Sequence, residues 1–379
     1  MFQPTAWTAR TGHWMFGLGL GLMPLAAAHG ITIRNDRTYP SQDAALLTND
    51  SAPLTEVAGS FVQVGVASGV YLGDGWVLSA AHFNPDTGGR ATVTFDSGFS
   101  SGADVFRNPD WTGDFTQGND FALLQLDSTP VGLPGVQLFG GSAGDLDNQV
   151  VNFFGYGATG NGQQGTALPG STTGELHAGQ NRIDQIGGSL PGNSDIYTDQ
   201  VVFFDFDRPS SVLNNPLGTR FELTYEAMIA VGDSGGGIFI DDGGTPRLAG
   251  VHSLLFTPDN GEAASYGSIG GTTTIDGVLG WIAETTNNAV VQLGDANLNG
   301  TVEQGDLNAV LNNWGQANRA WSSGDFNGDG AVDQSDLNVV LSQWGQSNAP
   351  SFEGFTALPE PALGSALLLG AVGLRRRTR

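Results

Sequence analysis

Gly232-Asp233-Ser234-Gly235-Gly236-Gly237 is the stretch from which the rest of the 379-residue sequence can be read. Its glycines let the backbone turn tightly, so that the N–H groups of Gly232 and Ser234 can converge on one point. Such a pair of amides forms an oxyanion hole, commonly a large electrostatic contribution to acyl transfer. The Ser234 hydroxyl is then held beside the carbonyl it attacks. Taken alone, the segment also fits a plain glycine-rich hairpin turn, and two segments further up the chain separate the readings.

The first runs over residues 75–82, Gly-Trp-Val-Leu-Ser-Ala-Ala-His. It is an apolar strand that ends in two alanines and His82, a position that suits an imidazole facing a cleft. The second, residues 119–126, is Asn-Asp-Phe-Ala-Leu-Leu-Gln-Leu, which puts one carboxylate, Asp120, at the start of a buried strand. An acid there is costly unless it is hydrogen-bonded or paired. Alone, His82 reads as structural and Asp120 as a turn cap.

Together, in the order His, Asp, Ser, the segments Ser-Ala-Ala-His, Asn-Asp-Phe-Ala-Leu-Leu and Gly-Asp-Ser-Gly-Gly resemble the three signature blocks of trypsin-like serine proteases of the chymotrypsin family. The order differs from that of subtilisins and α/β-hydrolases. Residues 151–157, ending Gly155-Tyr156-Gly157, look like the strand and turn that open the second barrel of that fold. The resemblance spans residues 31–285. It implies a two-barrel, mostly β domain, with His82 as general base and then general acid, Asp120 orienting it, and Ser234 as nucleophile. The oxyanion hole falls to Gly232 and Ser234, and the substrates are proteins or peptides.

The chain departs from the family in places. Phe83 follows the histidine and no cysteine exists, so no disulfide is possible. The residue matching Asp233 often pairs in the family with an amine released by proteolysis. No activation sequence precedes Ile31, so either export processing leaves the enzyme ready or another contact orders the site. Trypsins carry an aspartate six residues before the nucleophile, at the pocket base; here it is Met228. Ser253 and Leu255 match the substrate-binding strand, and Leu255 narrows the pocket. Small or medium apolar residues are expected before the cleaved bond. His177 and His252 read as structural or rim residues.

Strands of this domain are expected at 61–66, 75–78, 91–95, 121–126, 150–154, 201–206 and 237–240, separated by Gly-, Asn- and Asp-rich turns. A surface loop is expected over 159–170 and a closing helix over 275–285. The composition agrees, with 58 glycines and few charges.

Residues 294–316 and 324–346 repeat one another at an offset of 30. In the first copy Asp295, Asn297, Asn299, the Thr301 carbonyl and Asp306 take loop positions 1, 3, 5, 7 and 12, with Gly300 at the turn. In the second the series is Asp325, Asn327, Asp329, the Ala331 carbonyl and Asp336, with Gly330 at the turn. An all-oxygen loop with this spacing suits Ca²⁺, one ion per loop. An amphipathic helix follows each loop: Leu307, Val310, Leu311 and Trp314, then Leu337, Val340, Leu341 and Trp344. The two stripes are expected to bury against each other. This pairing resembles a type I dockerin, a small helical module whose partner is a cohesin. The loop residues Gln304-Gly305 and Gln334-Ser335 depart from the Ser/Thr pair common at that contact, and a calcium-stabilised stalk is the alternative.

The formal charge is −24, without a single lysine, which disfavours nucleic acid as a partner. Arg10 and His13 before the apolar run 15–25, then Ala26-Ala27-Ala28, read as an export signal cut by signal peptidase after Ala28. Leu358-Pro359-Glu360-Pro361, an apolar stretch and Arg375-Arg376-Arg377 resemble a PEP-CTERM sorting signal, handled in that family by an exosortase-type enzyme. A simple membrane tether is its alternative. The expected order is a signal at 1–28, the protease domain at 29–290, the dockerin-like domain at 291–348, a linker at 349–358 and the sorting signal at 359–379, in a protein exported to the cell surface or beyond. The competing functions are a catalytically silent protease-fold surface docking or adhesion protein and, against the motif order, a serine esterase.

Overall fold

The computed structural model describes residues 30–48, 52–167, 174–209, 215–258 and 261–348. The expected export signal (1–28), linker and sorting signal lie outside these residues. Among the described residues no helix is long and apolar enough to cross a membrane.

A short strand β1 (Thr32–Ile33) and helix α1 (Tyr39–Leu46) lead into six strands that close into a barrel. These are β2 (Phe61–Val64), β3 (Ala67–Gly73), β4 (Trp76–Ser79), β5 (Arg90–Phe95), β6 (Ser100–Arg107) and β7 (Ala122–Leu126), paired in the order β2-β3-β4-β7-β6-β5. Alternation in β5 and β7 turns Val93, Phe95, Ala122 and Leu124 inward onto Val62, Val77 and Val105.

The second half contains β8 (Gln137–Leu138), β9 (Val150–Gly155), β10 (Gly160–Asn161), β11 (His177–Arg182), β12 (Gln185–Ser189), β13 (Ile196–Asp205), β14 (Ala227–Met228), β15 (Gly237–Asp242), β16 (Thr245–Phe256) and β17 (Ile269–Thr274). Seven of these run in the order β11-β9-β15-β16-β17-β13-β12, with β8 added on β16. Asn181 on β11 donates to the Asp205 carbonyl at the end of β13 (2.8 Å) and to the Ala227 carbonyl (2.9 Å), which draws the outer strands together. The two halves meet on apolar surface: the rings of Phe61 and Phe154 stack at 3.7 Å, with Phe239 beside them. A fully buried phenylalanine of this kind is worth about 3–5 kcal/mol when cut back to alanine.

The expected strands are present with edges moved by one or two residues, and 201–206 proves to be the inner end of a ten-residue strand. The expected loop over 159–170 contributes β10, which pairs with β1. The closing helix is shorter than expected: α2 spans Leu279–Thr285.

The repeats form α3 (Gln304–Asn312) and α4 (Gln334–Gln343). Their packing corrects the expected stripes. Val310 and Val340 are fully buried, but Leu311, Trp314, Leu341 and Trp344 are each about half exposed. Each valine is covered instead by the glycine that opens the other repeat. A Cβ on Gly324 would stand 2.9 Å from the Val310 backbone, and one on Gly294 would stand 3.5 Å from that of Val340. The module also packs on α2. Trp321 and Phe326 share a core with Leu279 and Ile282, Ser322 N–H donates to the Gly140 carbonyl (2.9 Å), and Gly280 leaves room for the Phe326 carbonyl.

A group of acids gathers around the end of β13: Asp205, Asp207 and Glu226, all buried, with the half-buried Asp184 beside them. Burial pushes the Asp207 carboxyl up to about 7 and that of Glu226 up to about 8, and raises Asp184 and Asp205 as well. They accept backbone amides: Glu226 from Asp207 (2.6 Å) and Leu223 (2.5 Å), Asp205 from Leu217 (2.8 Å). These bonds tie down the connection that leads into β14 and the loop at residues 232–237.

Candidate active site

Strand pairing explains why His82 and Asp120 meet. Ser79 on β4 lies opposite Ala122 on β7, so the residues just after β4 and just before β7 emerge at the same end of the first barrel. His82 sits in a single 3₁₀ turn, Ala81–Phe83. Asp120 is fully buried, and its carboxylate accepts the His82 backbone N–H (2.9 Å) and lies 2.5 Å from His82 Nδ1. The other ring nitrogen, Nε2, stands 3.0 Å from Ser234 Oγ.

Ser234 arrives from the second half, in the turn before β15. Gly232 and Gly235 both hold positive φ, 100° and 83°, which places the turn in a region that favours glycine. The loop is clamped from across the domain by Ser68 at the start of β3. Ser68 N–H donates to the Ser234 carbonyl (2.9 Å), and its hydroxyl donates to the Gly232 carbonyl (3.0 Å). The amides of Asp233, Gly235 and Gly236 are taken by the carbonyls of Ala230, His252 and Asp233. Among the described residues the N–H groups of Gly232 and Ser234 have no internal acceptor. Two unspent donors beside a serine hydroxyl are what a developing oxyanion requires.

Three features were not legible in the sequence. Ser253, expected only as a pocket residue, donates its hydroxyl to Asp120 Oδ2 in a short hydrogen bond. The rings of Phe83 and Phe115 flank His82 at 4.7 and 5.3 Å, with Trp111 behind Phe115. Asp233 accepts amides from three separate segments: Ala230 (2.7 Å), Gly157 (2.8 Å) and Ile31 (3.2 Å).

The remaining expected residues fall as follows. Met228 is fully buried on β14, and Leu255 is half-buried on β16 against the same core. His252 is buried between Phe153, Phe204 and Thr272, and burial pushes its imidazole down to about 3, so it stays neutral. His177 meets Asp43 (2.7 Å) and Tyr39 and pairs across the sheet with Gly155.

In the C-terminal module, Asp295 accepts Gly300 N–H (2.6 Å) and Asn299 N–H (3.2 Å), and Asp306 accepts Ala296 N–H (2.9 Å) and Glu303 N–H (2.8 Å). Asp325 and Asp336 repeat this pattern toward Gly330, Gly328, Phe326 and Asp333. Burial pushes the carboxyls of Asp295 and Asp325 up to about 6, and the neighbouring aspartate of each loop adds to this. Paired buried carboxylates of this kind are relieved by a cation, and the donors are all oxygen, as Ca²⁺ prefers. No group of three or more His, Asp or Glu side chains able to hold a metal occurs among the described residues. A cation here would therefore rest on mixed sets: Asp295, Asn297, Asn299, Thr301 and Asp306 in one loop, and Asp325, Asn327, Asp329, Ala331 and Asp336 in the other.

Comparison with protein families matches residues 55–282 to the Trypsin model and residues 293–343 to the model of the Dockerin type I domain. No curated protein matches the chain.

Proposed function

The chain belongs to the trypsin family, and from that premise we propose that it is an exported serine endopeptidase with His82, Asp120 and Ser234 as its catalytic triad. The observation that carries this reading is the continuous line from Asp120 through His82 to Ser234, ending beside two unspent amides. Asp120 holds the proton on Nδ1, which leaves Nε2 free to accept the proton of Ser234. The Oγ–C bond then forms on the substrate carbonyl, and the oxyanion takes the amides of Gly232 and Ser234. His82 returns the proton to the leaving amine as the C–N bond breaks, giving an acyl-enzyme that water hydrolyses by the same steps in reverse order.

The C-terminal dockerin type I domain supports a docking role, with calcium in both loops and a cohesin-like partner. Signal removal at 28 and processing of 359–379 by an exosortase-type enzyme complete the proposed route to the surface, with domain limits at 290 and 348.

The experiment is to incubate the purified protein with an unbiased peptide mixture and identify the new termini by mass spectrometry. Internal cuts after small or medium apolar residues are expected, because Met228 and Leu255 offer no charge to a basic side chain. Cleavage after arginine at a rate matching apolar sites would overturn the specificity. Absence of any new internal terminus would overturn the endopeptidase.

A further inference from the structure

Asp233 stands between the two oxyanion amides in sequence, so whatever fixes its side chain fixes the oxyanion hole. Its carboxylate is fully buried, and its three donors are all backbone amides: Ala230 on its own loop, Gly157 after β9, and Ile31 ahead of β1. The chain has no lysine, and no arginine pairs with Asp233 among the described residues. Burial pushes the Asp233 carboxyl up to about 7; the three backbone amides pull against this, and His177, opposite Gly155 where β11 pairs with β9, adds a smaller pull in the same direction.

The backbone on the N-terminal side of Ile31 is itself built into the site. Gly30 is buried and its N–H donates to the Glu175 carbonyl (3.1 Å). A Cβ on Gly30 would stand 2.1 Å from the Gly155 oxygen, so this slot takes a peptide whose residue has no side chain. Downstream, Thr32 pairs with Gly160 on β10 and Met228 on β14, and its hydroxyl donates to the Ala264 carbonyl (2.8 Å). Between these two anchors Ile31 is held at a φ of 68°, a costly backbone for a β-branched residue, which turns its N–H onto Asp233. The Gly30–Ile31 peptide therefore has a slot that fits it and a hydrogen bond of its own beside Asp233.

We infer that the intact Gly30–Ile31 peptide orders the oxyanion hole through the Ile31 N–H on Asp233, so that this enzyme needs no cleavage at residue 31 to become active. The inference rests on Ser234 being the nucleophile, and it makes Gly30 and Ile31 positioning residues. The opposing arrangement is a chain cut before Ile31, which would lose the strained φ and set an ammonium on Asp233.

Because the chain has no lysine, its α-amine is the one primary amine that an acylating reagent can reach. The purified full chain is acetylated, its N-terminus is located by mass spectrometry, and its reaction with a fluorophosphonate probe is timed beside the untreated protein. With the Gly30–Ile31 bond intact, both forms should label at rates within about twofold. The pH profile should show no alkaline loss belonging to an α-amine, which titrates at about 7.7–8.0 when unperturbed. Gly30→Ala should slow labelling tenfold or more, with its far-ultraviolet circular dichroism compared to confirm folding. Labelling that begins only after the bond before Ile31 is cut, or that acetylation of the cut chain abolishes, overturns the inference. Absence of labelling in both cut and uncut chains would instead sink the assignment of Ser234 itself.

Discussion

Asp120→Asn is expected to lower kcat by about 10⁴-fold while changing KM little. Asp120 is fully buried and accepts from the His82 backbone, from His82 Nδ1 and from Ser253 Oγ. Asparagine keeps the size but turns an N–H₂ group toward at least one of these donors. Where it faces Nδ1, the imidazole proton moves to Nε2, and Nε2 can no longer accept the proton of Ser234. In the proposed mechanism Asp120 acts on the imidazole and not on the substrate, so KM is expected to change little. Steady-state kinetics on one apolar peptide substrate separates the two parameters. A variant that loses affinity with turnover intact would assign Asp120 to the pocket rather than to the imidazole.

The second large effect concerns calcium. Chelation is expected to lower the melting temperature of the protease domain together with that of the C-terminal module. The path is short: Trp321 donates its indole N–H to the Asp295 carbonyl in the first loop (2.6 Å) and packs in the same core as Leu279 and Ile282 of α2. Phe326, edge-on to Trp321, donates its N–H to Asp336 in the second loop (2.8 Å). A site held at a thousandfold excess over its dissociation constant stabilises the folded chain by about 4 kcal/mol. At about 2.1 cal/mol/K per residue, a unit that includes both the protease domain and the module shifts by roughly 6 °C per site. Calorimetry of the full chain with calcium and with EGTA reads it. A protease transition that stays in place while a second transition moves would make the module thermally independent and contradict the shared core.

The loop at Ser234, the strand before His82 and the strand after Asp120 were legible because each carries its signal in a few adjacent residues. Positive φ at Gly232 and Gly235, the alanines before His82 and the apolar run after Asp120 are local demands of backbone and burial. The repeated module was legible for the same reason, and the 30-residue offset doubled the signal. Contacts made across the chain were not. Ser253 lies 133 residues from Asp120 and Ile31 lies 202 from Asp233, and nothing in either local sequence points to its partner. Helical spacing also misassigned the outer half of each apolar stripe. It gave the period but could not know that Gly294 and Gly324 seat directly on Val340 and Val310, leaving Trp314 and Trp344 outside.

The most direct test is a fluorophosphonate probe applied to the calcium-loaded full chain and to Ser234→Ala, with the modified peptide identified by mass spectrometry. An activated serine is expected to give one adduct, on Ser234, in the unaltered protein and none in the variant. An unaltered protein that is folded, cut or uncut before Ile31, and still forms no adduct at Ser234 would contradict the assignment of this chain as a working serine endopeptidase.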